Sequence, residues 1–428
     1  MKKVLFILFV FYSIQNFGQH APDAIYFDNI KTVKLFQQNN QESMPIINLN
    51  SADVLELHFD DLDGYVKNYF YTFQLCNADW SVAQVNPFDY IKGFTQNRIS
   101  QFRPSSITLS KYVHYQVNIP ERNCMPTKSG NYLLKVFLNS DTNQLAFVKR
   151  MYVVESIAAV GLQVLQPFNG DKFRTHQRVQ FSINTAKLNL FNILQQVKVV
   201  VMQNNRWDNM KTNLQPAFIR DKLIEYNGEI DCLFPASKEH RWVDMRSIRF
   251  ESDFIQRKEI NGDRTTVYVK PEGPRTNQRY LFYRDFDGWY NITNTDNVNP
   301  WWQTDYASVI FTYVPEKNQP LVGSDIHLNG ELTGNVIGSK SKMDFNEAKG
   351  VYEKTLMLKQ GFYSYQYLSK ETNKKNSIAD AELTEGNYWE TENYYSVLVY
   401  YRSFSGRHDE LVAIASTNSR FGRTIIGL

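Results

Sequence analysis

The groups in this 428-residue chain that could carry chemistry are seven histidines, three cysteines and a few acidic turns. Their spacing does not assemble a catalytic or metal centre. His20, His58, His114, His176, His240, His327 and His408 form no His-x-His or His-Glu-x-x-His pair. No Cys-x-x-Cys occurs, so the ligand spacing that fixes zinc is missing. There is no Gly-x-Ser-x-Gly nucleophile elbow and no phosphate-cradling P-loop. His408-Asp409-Glu410 lies between charged turns and is read as a solvated loop, because a general base needs a positioned partner. Asp60-Asp61-Leu62-Asp63-Gly64 and Asp285-Phe286-Asp287-Gly288 offer oxygens at the alternate positions a calcium loop uses. Both lack the downstream acidic ligand and read as Asx-rich turns. The expectation is no catalytic residue, no metal and no cofactor.

A binding reading fares better. Trp289-Tyr290 and Trp301-Trp302 flank a polar, turn-forming stretch rich in Asn and Thr. Neighbouring residues on a strand point to opposite faces, so Trp301 and Trp302 cannot both enter one core. At least one packs on a loop or a partner, and aromatics are favoured interface anchors. Trp289, Tyr290, Trp301 and Trp302 are therefore the partner-binding residues expected from sequence.

The elements that must hold these residues are strands. Aromatics make up 14% of the chain, and strand formers outweigh the Ala-rich pattern of helices. Leu55, Leu57 and Phe59 share one face of a period-two run; Tyr69, Tyr71, Phe73 and Leu75 share another. Turn signals divide the chain into three consecutive immunoglobulin-like or early-set β-sandwiches, an all-β fold. The expected bounds are 19–156, 157–314 and 321–428, with Pro-Glu-Lys-Asn-Gln-Pro at 315–320 as the last linker. One short helix is expected within 188–196.

Met-Lys-Lys, an apolar run from Val4 to Ile14 and the small Gly18 read as a signal peptide over 1–18. The run is too short to span a bilayer. The first cysteine is Cys76, so no lipid-modified cysteine can follow cleavage there. The formal charge of +3 falls to +1 when Lys2 and Lys3 are removed, which gives no electrostatic case for nucleic acid or an anionic membrane. Three cysteines allow at most one bridge, and Cys232, in an apolar run, reads as a buried free thiol.

Three stretches together resemble one family: 71–80 (Tyr-Thr-Phe-Gln-Leu-Cys-Asn-Ala-Asp-Trp) with Asp89-Tyr-Ile-Lys-Gly-Phe94 after it; 284–291 (Arg-Asp-Phe-Asp-Gly-Trp-Tyr-Asn); and 388–402 with 406–412. The chain is similar along its mature length to the periplasmic plug protein of the Bacteroidetes type IX secretion system. That resemblance implies a non-enzymatic protein of the periplasm. It would bind and seal the periplasmic opening of a large outer-membrane β-barrel translocon, as one copy in a heteromeric complex with no membrane anchor of its own. Separately, 71–80 with 130–136 (Gly-Asn-Tyr-Leu-Leu-Lys-Val) resembles immunoglobulin-like modules, in which Trp80 and Tyr132 would fill the space between the first two sheets. A different resemblance gives the alternative. Residues 322–367 are similar to early-set sandwiches related to glycogen-binding modules, which implies a periplasmic glycan-binding accessory protein.

Overall fold

The computed structural model describes residues 23–422 apart from 251, 297, 375 and 376, so the expected signal segment lies outside the described residues. Strands dominate. The α-helix among the described residues is confined to Pro87–Tyr90 and Ile193–Gln196, the latter being all that forms of the helix expected over 188–196.

The first sandwich pairs Tyr69–Cys76, Gly130–Leu138 and Leu145–Val154 in one sheet, with Ala24–Ile25, Ile46–Asn48 and Asn97–Arg98 at its edges. Ile30–Gln37, Leu55–Asp61, Val113–Ile119 and Gln101–Pro104 make the facing sheet. The period-two pattern does what it should. Tyr69, Tyr71, Phe73 and Leu75 are buried, while Phe70, Thr72 and Gln74 between them are half-buried. Phe59 stacks on Tyr115 at 5.0 Å and meets Tyr69 edge-on at 5.1 Å. Such pairs add to the area term of burial. Tyr132 is fully buried here. Trp80 is not: it leaves the sheet at a left-handed turn and packs edge-on against Trp207 at 5.4 Å, in the seam with the next sandwich.

The other two sandwiches are not consecutive. Ala159–Leu165, His176–Asn184, Leu223–Tyr226, Phe218–Arg220 and Leu233–Pro235 form one sheet of the second. Its facing sheet is Val197–Gln203 paired to Tyr394–Tyr401, which pairs in turn with Glu410–Asn418. The last two strands among the described residues therefore close the second sandwich. The third lies inside the second in sequence. Arg241–Asp244, Tyr290–Asn291 and Ser324–Asn329 all pair with Phe362–Glu371. They face a sheet of Ile255–Asn261, Arg264–Val269, Tyr306–Tyr313, Val351–Lys359 and Asp344–Asn346. The boundary expected at 315–320 is corrected by this pairing. That segment is a single 3-10 turn, Glu316–Asn318, between Tyr306–Tyr313 and Ser324–Asn329, which belong to one core. Periodicity identifies a strand but not its partner, and a proline-bounded turn looks the same inside a domain as between two.

The three cysteines are free and buried.

Candidate functional site

The four expected partner-binding aromatics converge on the seam between the first and the inserted sandwich. The turn-rich stretch ahead of Tyr306–Tyr313 carries Trp301 and Trp302 out of the inserted sandwich and over the outer face of the first. There the half-buried Trp301 stacks on His58 at 3.9 Å and 10°, on His114 at 5.4 Å and on Phe36 at 6.2 Å. Trp302 lies under the Arg103 guanidinium at 5.1 Å. Tyr290 is buried beneath the Lys34 ammonium, 4.0 Å from its ring centre, and Trp289 packs into the cluster that joins the first and second sandwiches. Their ring faces are thus engaged within the chain, on a neighbouring sandwich rather than on a local loop.

Under Trp301 runs a chain of hydrogen bonds. Glu56 Oε2 is 3.3 Å from His58 Nε2, His58 Nδ1 is 3.0 Å from His114 Nε2, and His114 Nδ1 is 2.7 Å from Asp60 Oδ1. The other Asp60 oxygen crosses the seam, accepting from Lys359 Nζ at 2.5 Å and from Tyr306 OH at 2.5 Å. Asp60 and Lys359 are both fully buried. Burial pushes the Asp60 carboxyl up, but Lys359 and His114 outweigh it and hold it below its ordinary range. Lys34 makes a second staple, donating to Glu331 Oε2 at 2.7 Å and to the Tyr290 carbonyl at 2.5 Å. Asp61, next to Asp60, binds Lys67 at 2.9 Å and Tyr69 OH at 2.8 Å. The Asp60–Gly64 turn thus spends its carboxylates on protein partners.

The seam with the second sandwich is built similarly. Asp409 is buried and accepts from Lys198 at 3.0 Å, Arg402 at 2.7 Å and the Ala78 amide at 3.1 Å. His408 Nε2 lies 3.1 Å from the Ser129 carbonyl. The 408–410 segment, expected as a solvated loop, is an interdomain clamp. Lys198 and Arg402 belong to the second sandwich with Asp409. The contacts that cross to the first are the Ala78 amide on Asp409, the Asn77 side-chain carbonyl oxygen accepting from Arg402 at 2.7 Å, and Ser129 beside His408.

Sequence reasoning missed the exposed aromatics. Phe88, Phe191 and Phe404 are 79%, 87% and 94% exposed. Phe404 tips the turn after Tyr394–Tyr401. Gln196 of the 191–196 segment accepts from the Arg402 amide through its carbonyl at 2.8 Å, and Arg407 reaches Asp89, beside Phe88, at 3.3 Å. The three phenylalanines thus sit on contacting loops of the first and second sandwiches. The available signal was a lone Phe among turn formers, as in Asn86-Pro87-Phe88-Asp89 and Ser403-Phe404-Ser405-Gly406. By contrast, Tyr363, Tyr365 and Tyr367, on the stretch that resembled glycan-binding modules, are core residues rather than a platform.

Residues 30–155 match the first domain of the type 9 secretion system plug protein. The chain belongs to the type 9 secretion system plug proteins. A crystallised protein of Parabacteroides merdae, described as hypothetical, shares 31% identity and superposes with a TM-score of 0.89, over 92% of this chain and 98% of its own. No curated protein matches the chain. No helix among the described residues is long and apolar enough to cross a membrane.

The buried histidines of the seam make a pH prediction. Burial lowers His114 to about 4, with Lys359 and His58 acting the same way and Asp60 opposing. A depressed folded value means that the unfolded chain binds a proton the folded chain refuses. The contribution is therefore whole above about pH 6.5 and is lost as pH falls toward 4. For His114 alone this amounts to on the order of 3 kcal/mol. Denaturant titrations at steps of pH should show unfolding free energy falling through that window. His114→Gln should reduce the slope by up to one proton; an unchanged slope would exclude His114 as a source.

Proposed function

We propose that this chain is a non-enzymatic periplasmic plug that binds and seals the periplasmic opening of the large outer-membrane β-barrel translocon of the type IX secretion system. The observation that carries the reading, beside family membership, is the pair of buried seams. A stopper has to resist deformation; the Asp60–Lys359 pair ties the first sandwich to the inserted one, and the hydrogen bonds of Asp409 and Arg402 to Ala78 and Asn77 tie it to the second. Trp289, Tyr290, Trp301 and Trp302 serve the seal from inside by fixing the first sandwich on the inserted one. Outward contact falls to Phe88, Phe191 and Phe404, large exposed apolar side chains on contacting loops of the first and second sandwiches.

A tagged chain expressed in its own cells should co-purify with a large outer-membrane barrel, and deletion should admit dyes too large for intact porins. Failure of both would remove the proposal. The triple variant Phe88→Ser, Phe191→Ser, Phe404→Ser should recover about tenfold less barrel, as expected when interface anchors are lost. Its melting temperature should match the parent, because exposed side chains away from the core carry little stability. Undiminished recovery would move the docking face elsewhere.

A further inference from the structure

The Asp285–Gly288 turn, read from sequence as an ordinary Asx turn, acquires partners in three dimensions that the sequence does not place beside it. It precedes Tyr290–Asn291, and Gly288 adopts φ +84 where an added Cβ would lie 3.3 Å from His240 Nε2. The turn therefore wraps tightly around the imidazole. His240, Asp285 and Asp287 each present a ligand atom, all within 4.8 Å of one another. Asp285 Oδ1 accepts from the Asp287 amide at 2.6 Å, and Asp285 Oδ2 accepts from the His240 amide and lies 3.6 Å from His240 Nδ1.

Two more carboxylates close on this group. Glu239 precedes His240 and is 1% exposed. Its Oε1 accepts from Tyr280 OH at 2.6 Å and from the Glu392 amide at 3.3 Å, which brings Glu392 alongside. Asp287 feels the charges of Asp285, Glu392 and Glu239. Three oxygens here, Asp287 Oδ1, Glu239 Oε2 and Glu392 Oε2, are closed to water and have no hydrogen-bond partner. Among the described residues, no Lys or Arg forms an ion pair with Glu239, Asp287 or Glu392. Elsewhere this protein does not behave so: its buried Asp60, Asp409 and Glu385 each meet a Lys or Arg. Unpaired buried carboxylate oxygens destabilise a fold unless something cationic meets them.

We propose that His240, Asp285 and Asp287, with Glu239 and Glu392 around them, bind one divalent cation of the zinc or manganese class. The donor set decides the class. Carboxylates alone suit calcium or magnesium, whereas an imidazole among them favours zinc or manganese. The role is structural. The ligands come from the start of Arg241–Asp244, from the turn before Tyr290 and from the segment leading back into Tyr394–Tyr401. A cation there ties together the places where the chain leaves the second sandwich and returns to it. It also fixes the turn that delivers Tyr290 to Lys34.

The test is calorimetric titration of the chelator-treated full chain with zinc chloride, manganese chloride and calcium chloride in turn, paired with thermal melts. Zinc or manganese should bind at one per chain and raise the melting temperature. His240→Ala and Asp287→Asn should each weaken that binding at least about tenfold. Asp287→Asn separates a lost ligand from a lost fold: in chelator it should melt at or above the parent, since it removes a charge from a crowd of like charges. Absence of stoichiometric uptake, uptake of calcium alone, or parental affinity in Asp287→Asn would each overturn the assignment.

Discussion

Asp60→Asn lowers the stability of the chain by about 3–5 kcal/mol, the loss expected when one member of a buried ion pair is removed. The reason is local. Lys359 is fully buried at the end of Val351–Lys359, and the carboxylate that compensates its charge arrives from another sandwich. Asparagine keeps the shape and one acceptor for Tyr306 but leaves the ammonium facing a neutral amide. It also releases His114, whose Nδ1 is held by the other Asp60 oxygen. Because the pair spans two sandwiches, its loss should also change cooperativity. A calorimetric scan of Asp60→Asn should show the first sandwich melting ahead of the rest, where the parent melts as a closer unit. The double variant Asp60→Asn, Lys359→Met should recover most of the loss, since the desolvated charge then disappears. A single-variant effect under about 1 kcal/mol would mean that the seam is wet and contributes as weakly as a surface pair.

This seam also marks how far sequence could reach. Strand identity within the first sandwich was legible, because alternation in Leu55–Asp61 and Tyr69–Cys76 is imposed by one buried face. The all-β class followed from the same patterns. The joint was not legible. Asp60 and Asp61 look alike in a turn-like cluster, yet Asp60 faces the inserted sandwich and Asp61 faces Lys67. His58, at the next alternate position, is stacked by Trp301, which is 243 residues later in a stretch without periodicity. The aromatic signal of Trp301-Trp302 did point to contact with something. Sequence could not say whether that something was another protein or another part of this one. The insertion of one sandwich within another escaped for a related reason. Val197–Gln203 reads as a buried strand wherever its partner comes from, and its partner is Tyr394–Tyr401.

Interlocking has a consequence for the proposed sealing role. In three sandwiches strung on linkers, each could tilt when pushed. Here the inserted sandwich is held at both of its chain crossings, and the first sandwich is stapled to it by the Asp60–Lys359 pair and to the second by hydrogen bonds from Ala78 to Asp409 and from Arg402 to Asn77. Under the proposed sealing role, release from a pore would depend on the outer contact surface rather than on deformation of the body. A release factor must bind the undocked state more tightly, as any ligand that shifts an equilibrium must.

Glu385→Ala should rank with Asp60→Asn in cost, about 3–5 kcal/mol, and for the same class of reason. Glu385 is fully buried at the edge of the inserted sandwich. Arg241 forks onto it with Nε 3.0 Å from Oε1, Arg275 Nε lies 2.6 Å from Oε2, and the Tyr367 amide donates at 2.9 Å. Burial alone would push its carboxyl up, but Arg241 and Arg275 outweigh it and hold the group at about 2. The depressed folded value means its contribution is whole above the ordinary glutamate range and is lost only as pH falls toward 2. The two variants should therefore separate by cooperativity. Glu385 binds within the inserted sandwich, so its loss should lower the transition of that sandwich and leave the seam with the first intact. Denaturant titration followed at the tryptophans of that seam, Trp301 and Trp302, against far-UV signal distinguishes the cases. In Asp60→Asn the seam signal should move first. In Glu385→Ala the two signals should move together, because Trp301 loses its support only when the inserted core melts. A seam that opened first in Glu385→Ala would show that the Arg241–Glu385–Arg275 network supports the joint rather than the core.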